Sequence, residues 1–199
     1  MPIPEIGTGT QRAVTAGTAG EDSRALAFPA NVLANSLLIV AGAVFDSAGA
    51  PTSVTVTDTR STSYTVILGP IIGTTVRSFI AYGLVPTAGA DTVTVNPSGT
   101  NAFISYAIDE FSGANSVPLD VDGGSTTGTD STPFDSLTTL ISNNLIIGVM
   151  THITVANATL TPAAGHTQIG EEEDGTLKQP FNAVYRGVTT AAAYTVEWT

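Results

Sequence analysis

Two stretches of this sequence repeat each other, and the repeat limits the folds that the chain can adopt. Residues 79–95 align without gaps with residues 182–198, and seven aligned positions are identical. The identical pairs are Tyr82/Tyr185, Val85/Val188, Thr87/Thr190, Ala88/Ala191, Ala90/Ala193, Thr92/Thr195 and Val93/Val196. Residues 35–41 (NSLLIVA) likewise resemble residues 143–149 (NNLIIGV). A period of about 105 residues is too long for a solenoid, so the repeat predicts two similar half-sandwiches merged around one core.

The apolar residues occur in short runs that Gly, Pro, Asn, Asp and Ser interrupt, which is the pattern of strands and turns. Residues 54–57 (VTVT) alternate apolar and polar side chains, whereas residues 37–40 (LLIV) are apolar on both faces and suit a central strand. Residues 162–170, which contain His166, are predicted to be a loop. The sequence therefore predicts an all-β fold, an antiparallel two-sheet sandwich that is jelly-roll-like and internally duplicated.

Length and composition favour one domain. The chain has 199 residues and no cysteine, and a β-sandwich of this length folds as a single domain without disulfides. Residues 1–10 contain two prolines, two glycines and no strand period. We therefore predict an extended arm over residues 1–10, which pairs with a neighbouring chain, and a single β-sandwich domain over residues 11–199.

The charge balance argues against two classes of partner. Only 12% of the residues are charged and the net charge is −11. The six basic residues are scattered singly, whereas nucleic acids and anionic membranes bind clustered Lys and Arg. We therefore expect neither nucleic acid nor membrane as a partner.

The residues that carry out enzyme chemistry do not converge in the sequence. His152 and His166 lie in different settings, and no Gly-x-Ser-x-Gly elbow accompanies them. The adjacent carboxylates Asp109 and Glu110 point to opposite faces of a strand and cannot flank one bond. Residues 120–124 (DVDGG) have a spacing that suits Ca²⁺, but the later bidentate glutamate of an EF-hand is missing, so a solvated loop is favoured. We predict a non-enzyme with no cofactor and no assigned metal site.

Two segments are the candidate contact sites. Residues 171–174 (EEED) form the densest charge run, which predicts an exposed loop suited to a basic surface on a partner. The arm offers two isoleucines that could enter pockets of a neighbouring chain. The predicted contact residues are Ile3, Ile6, Glu171, Glu172, Glu173 and Asp174.

Four short motifs together resemble a known group of proteins. They are residues 35–40 (NSLLIV), 54–58 (VTVTD), 104–114 (ISYAIDEFSGA) and 118–120 (PLD). This combination is similar to β-sandwich domains of tailed-phage virion proteins and of bacterial surface proteins. The resemblance spans residues 20–199 and implies a structural protein without carrying over any site residue.

The resemblance and the lack of catalytic motifs lead to one functional prediction. We expect a capsid decoration (cement) protein, located in the virion, that binds other virion proteins, above all the major capsid protein, and further copies of itself. The alternative is a tail-fibre, head-fibre or baseplate module that binds host-surface carbohydrate. Such a module lines its groove with exposed aromatic side chains, and this chain has a single tryptophan, Trp198.

Overall fold

The computed structural model describes residues 11–15, 17, 20–99, 102–128, 134–152, 161–172 and 181–199. The predicted arm, residues 1–10, lies outside the described residues. The strands within the described ranges are β1 (Gln11–Thr15), β2 (Arg24–Ala27), β3 (Leu37–Asp46), β4 (Val54–Asp58), β5 (Thr65–Ile72), β6 (Val76–Leu84), β7 (Thr92–Pro97), β8 (Ala102–Phe111), β9 (Phe134–Thr138), β10 (Asn144–Thr151), β11 (Thr167–Glu172), β12 (Phe181–Val188) and β13 (Ala193–Glu197).

The all-β antiparallel sandwich predicted from the sequence is confirmed. Every strand pairing within the described ranges is antiparallel, and none of the described residues lies in a helix. No helix of this part of the chain is therefore long and apolar enough to cross a bilayer. The prediction of a loop over residues 162–170 is wrong at its end, because β11 begins at Thr167.

The strands of the described residues form four sheets, and not the two of the predicted sandwich. The large sheet has the order β1-β8-β3-β6-β5, and a three-stranded sheet has the order β2-β7-β4. A second three-stranded sheet has the order β10-β12-β11, and β13 pairs with β9. We call β2–β7 the first repeat and β9–β13 the second repeat.

Alternation along the strands sends side chains to both faces of the large sheet. Leu38 and Val40 of β3 belong to a core shared with β2, β4 and β7. Their neighbours Leu37 and Ile39 belong to a second core shared with β10, β11 and β12. A third core lies between that sheet and the β9–β13 pair, around Trp198. The expectation of one shared core is therefore wrong: four layers enclose three cores, and each repeat has a core of its own.

The strand order agrees with a jelly roll only in part. The order β1-β8-β3-β6 facing β2-β7-β4 is what two interleaved Greek keys produce. However, β5 pairs with β6 at the edge of the large sheet and not with β4. The jelly roll is therefore not confirmed.

The strand registers follow the sequence repeat. Ile39 lies opposite Tyr82 in the first repeat, and the aligned Ile147 lies opposite Tyr185 in the second. Tyr82 and Tyr185 also face Thr65 and Thr167, respectively, on their other sides. The aligned residues Asn35 and Asn143, which precede β3 and β10, both adopt the left-handed conformation, with φ of 63° and 60°. The internal duplication is thus present in backbone pairing as well as in sequence.

Candidate functional site

The two repeats differ at one strand edge. In the first repeat, β3 pairs along its length with β6 on one side and with β8 on the other. In the second repeat, the equivalent strand β10 pairs with β12, and no other described strand pairs with it. In an antiparallel strand, alternate residues direct their backbone N–H and C=O groups to opposite sides. On one side, these groups of β10 face β12; on the other side, no described strand pairs with them.

A segment of irregular backbone runs beside this edge. Residues 118–126 lie next to β9: a Cβ built on Gly123 would come within 3.0 Å of the Cβ of Leu137. The Thr126 hydroxyl donates a hydrogen bond to the carbonyl of Phe134, at 3.5 Å. In the first repeat, the corresponding place beside β2 is taken by β1, which contacts β2 and pairs with β8. Residues 118–126 thus adjoin β9, which pairs with β13, much as β1 adjoins β2, which pairs with β7.

Between β10 and residues 118–126 lies a cavity of about 310 Å³. Its walls include every residue of β10, together with Ile67, Leu68 and Ile72 of β5. In the large sheet, β1 and β3 lie two strand spacings apart, about 10 Å, with β8 between them. By analogy with β8, which separates β1 from β3, we call this cavity the strand slot.

One carboxylate fixes the wall of the strand slot to the turn before β10. Oδ2 of Asp120 accepts hydrogen bonds from the backbone N–H groups of Leu140 (2.8 Å) and Ile141 (3.3 Å). It also accepts one from Nδ2 of Asn144, at 2.8 Å. Asp122 accepts a local bond from the N–H of Gly124. Within the described ranges, no group of three or more His, Asp or Glu residues is arranged to hold a metal ion.

Apolar side chains are exposed on both sides of this contact. They are Val117 (75% exposed), Leu119 (42%), Leu140 (69%) and Ile141 (48%). The Asp120 hydrogen bonds join the two segments that carry these four residues, which we call the apolar patch. Contiguous exposed apolar surface in a soluble protein marks a contact site more often than single exposed residues do.

The buried carboxylates Asp109 and Glu110 have structural partners. Glu110 accepts hydrogen bonds from the N–H of Leu33 (2.6 Å), the hydroxyl of Ser36 (2.7 Å) and Nε2 of Gln11 (2.7 Å). Asp109 is fully buried and lies 3.1 Å from the guanidinium of Arg12. Burial raises the pKa of Asp109 to about 6, and the charge of Arg12 opposes the rise. Their separate partners agree with the predicted orientation toward opposite faces.

A second pair of carboxylates lies in the first repeat, at the end of β4 and directly before β7. Asp58 accepts a hydrogen bond from the Tyr64 hydroxyl at 2.9 Å, and burial, reinforced by this carboxylate, raises the pKa of Tyr64. Asp91 accepts bonds from the N–H and hydroxyl of Thr59, and burial raises the pKa of Asp91. The Asp91 bonds connect the end of β4 to the loop before β7, and the Asp58 bond connects β4 to the segment before β5, so both carboxylates have structural roles.

The residues predicted from the sequence as contacts are not brought together into one site. Glu171 and Glu172 are the last residues of β11, opposite Asn182 and Phe181, and are half-buried. For these two, the predicted exposed loop is wrong. Ile3, Ile6, Glu173 and Asp174 lie outside the described residues.

The two histidines are not part of the wall of the strand slot. His166 follows the turn at residues 164–165, and its Nδ1 lies 3.2 Å from the carbonyl of Ala163. His152 directly follows β10 and is half-buried. Neither lines the cavity.

The sequence reasoning missed the strand slot and the apolar patch. The slot arises from pairing between distant segments, and no local motif marks it. Comparison with known proteins finds no matching family model, no matching curated protein and no matching solved structure.

Proposed function

We propose that this protein is a structural component of a tailed-phage virion, a decoration protein that binds the capsid exterior through the apolar patch. The patch is the observation that carries the proposal. Its four aliphatic side chains lie on two segments that the Asp120 hydrogen bonds connect. A patch on such a tied backbone loses little conformational entropy when it binds a partner.

The resemblance of residues 20–199 to virion and surface β-sandwich domains supports the same proposal. Proteins of that group act by presenting surfaces. The major capsid protein is the partner that a decoration protein requires, and the low charge of the chain suits an attachment in which burial of apolar surface supplies the free energy.

Carbohydrate binding by a fibre or baseplate module has less support. A sugar-binding groove presents several aromatic rings to solvent, whereas Trp198 is 4% exposed and Phe134 is the one exposed aromatic side chain among the described residues. Its indole N–H donates a hydrogen bond to Oδ1 of Asn182 at 2.9 Å. The ring is therefore a core residue of the second repeat.

Cosedimentation with purified phage particles tests the proposal. The wild-type protein should sediment with particles that have been stripped of decoration protein. The double variant Leu140→Asp with Ile141→Asp should lose most of this binding, because two carboxylates would have to be buried without partners. Leu33→Asp is the matched control, since Leu33 is also exposed (53%) and does not contribute to the patch. Absence of wild-type cosedimentation, or equal loss in the control, would contradict the proposal.

A further inference from the structure

We propose that the strand slot is an acceptor site for residues 2–10 of a second copy of this chain, which add to β10 as an antiparallel strand. The inference does not rest on the virion assignment, because it concerns contacts between copies of one chain. It also specifies where the predicted arm docks.

The first repeat shows what the slot is built to hold. There β8 pairs with β3 continuously, from Leu37 opposite Phe111 to Asp46 opposite Ala102. Along β8, Ile104, Tyr106 and Ile108 enter the core of the first repeat, while Ala107 and Phe111 enter the core between the repeats. An occupant of the equivalent place beside β10 must therefore be extended and must bring apolar side chains to both faces.

The strand β10 has apolar side chains on both of its faces. Ile146 belongs to the core around Trp198, and Leu145 and Ile147 pack against the core between the repeats. All three also line the strand slot. Backbone hydrogen bonds along the β10 edge would supply affinity, and the two flanking apolar walls would supply pockets for alternate side chains.

Residues 2–10 match this description in length, and they carry two aliphatic side chains, Ile3 and Ile6. The segment 1–10 has ten residues, and β10 has eight. In an extended chain, Ile3 and Ile6 point to opposite faces, so that each can enter one of the two apolar walls. Pro2 and Pro4 flank Ile3 in the chain. When the backbone groups of Ile3 face β10, those of Pro2 and Pro4 face away from it, so their missing N–H groups remove no hydrogen bond to β10. Proline is tolerated in that arrangement at a sheet edge.

The geometry favours a second molecule as the donor. The arm joins the fold at Gln11, the first residue of β1, which is one edge of the large sheet. The strand slot is lined by Ile67, Leu68 and Ile72 of β5, the opposite edge of the same sheet. An arm that leaves β1 therefore starts on the far side of the sheet from the slot of its own molecule.

Disulfide trapping tests the docking directly, because the chain contains no cysteine. One protein carries Ile6→Cys and a second carries Phe134→Cys; Phe134 lines the slot and is 59% exposed. Mixing the two under mild oxidation should give the mixed 6–134 dimer at least about tenfold faster than either homodimer, because docking raises the effective concentration of the thiols. Leu33→Cys in place of Phe134→Cys is the control, and it should give no such excess.

Two further results would decide the source and the role of the strand. A single chain with both Ile6→Cys and Phe134→Cys should form intermolecular disulfides, and an intramolecular 6–134 bond would overturn the assignment to a second copy. Deletion of residues 2–10, or Ile3→Asp with Ile6→Asp, should convert the associated protein to monomer in analytical ultracentrifugation while the circular dichroism is unchanged. An equal 6–33 yield in the control, or association that survives the deletion, would overturn the proposal. Because phage particles are absent from these measurements, their failure leaves the capsid-binding proposal untouched.

Discussion

The two repeats share strand order and register but differ in how one edge is closed. In the first repeat, β8 covers β3, and nine of the ten residues of β3 are buried. In the second repeat, two of the eight residues of the equivalent β10 are buried, and the strand slot lies beside them. Among the described residues, the same duplicated backbone thus has a paired strand on both sides of β3 and on one side of β10.

The largest expected effect comes from a matched pair of core truncations. Leu38 and Ile146 are aligned in the repeats, with exposures of 0% and 4%. Leu38→Ala should lower the free energy of unfolding by about 3–5 kcal/mol, and Ile146→Ala should lower it by about 2 kcal/mol. Replacing a buried Leu or Ile with Ala destabilises a protein by an amount within this range, and the loss is smaller where the side chain is less tightly enclosed. Urea denaturation of both variants measures the difference. Equal losses would show that the second repeat is enclosed as completely as the first.

The next effect tests the extra strand β8, which joins the repeats. Arg12, the partner of Asp109, also donates a hydrogen bond to the carbonyl of Gln168 in β11. The folded pKa of Asp109, about 6, lies above its unfolded value of 3.8. Ionisation of this group therefore destabilises the fold, and its contribution to stability falls as the pH rises from about 4 to 6.

Asp109→Asn should remove that pH dependence. At pH 7.5, the variant should be more stable than wild type by about 2–3 kcal/mol, and the difference should shrink below about 1 kcal/mol at pH 4. Arg12 is 38% exposed and can remain hydrated without its partner. Chemical denaturation at the two pH values checks this. A variant that is less stable than wild type at pH 7.5 would show that the ion pair outweighs the burial of the carboxylate.

The smallest effect tests what the repeats have in common. Asn35 and Asn143 adopt the same left-handed conformation before equivalent strands. Replacing either residue with Ala should lower the free energy of unfolding by about 1 kcal/mol, because a Cβ disfavours the left-handed conformation and Ala has no polar side chain to compensate. Replacing either with Gly should leave the free energy of unfolding nearly unchanged. Thermal denaturation of the four variants provides the comparison. A large cost at one position and none at the other would mean that the two turns are not equivalent.

The sequence was sufficient to predict the strands that follow a local pattern. The duplicated segments are apolar in short runs, and their alignment predicted the internal duplication that the registers of β3 with β6 and of β10 with β12 follow. By contrast, β11 was missed because its apolar content is slight: Ile169 and Gly170 are its buried residues. A Cβ on Gly170 would lie 2.5 Å from the Cβ of Ala107, so close packing against β8, and not hydrophobicity, explains a glycine in this strand.

The strand slot could not be predicted from the sequence for a different reason. The repeat was recognised from short aligned segments, and none of these segments indicates what lies beside β10. Its walls come from β5, β10 and residues 118–126, which are distant in the chain. Likewise, the apolar patch depends on Asp120 joining residues 117–119 to residues 140–141, a contact that no local spacing indicates.

Amide hydrogen exchange, followed by NMR in the protein that lacks residues 2–10, tests the central claim most directly. Amides that are hydrogen-bonded within a sheet exchange slowly, and amides on an open edge exchange fast. Along β3, which has a neighbour on each side, all amides should be slow. Along β10, slow amides that face β12 should alternate with fast amides that face the strand slot. Uniformly slow exchange along β10 would contradict the account, because its edge would then already be paired.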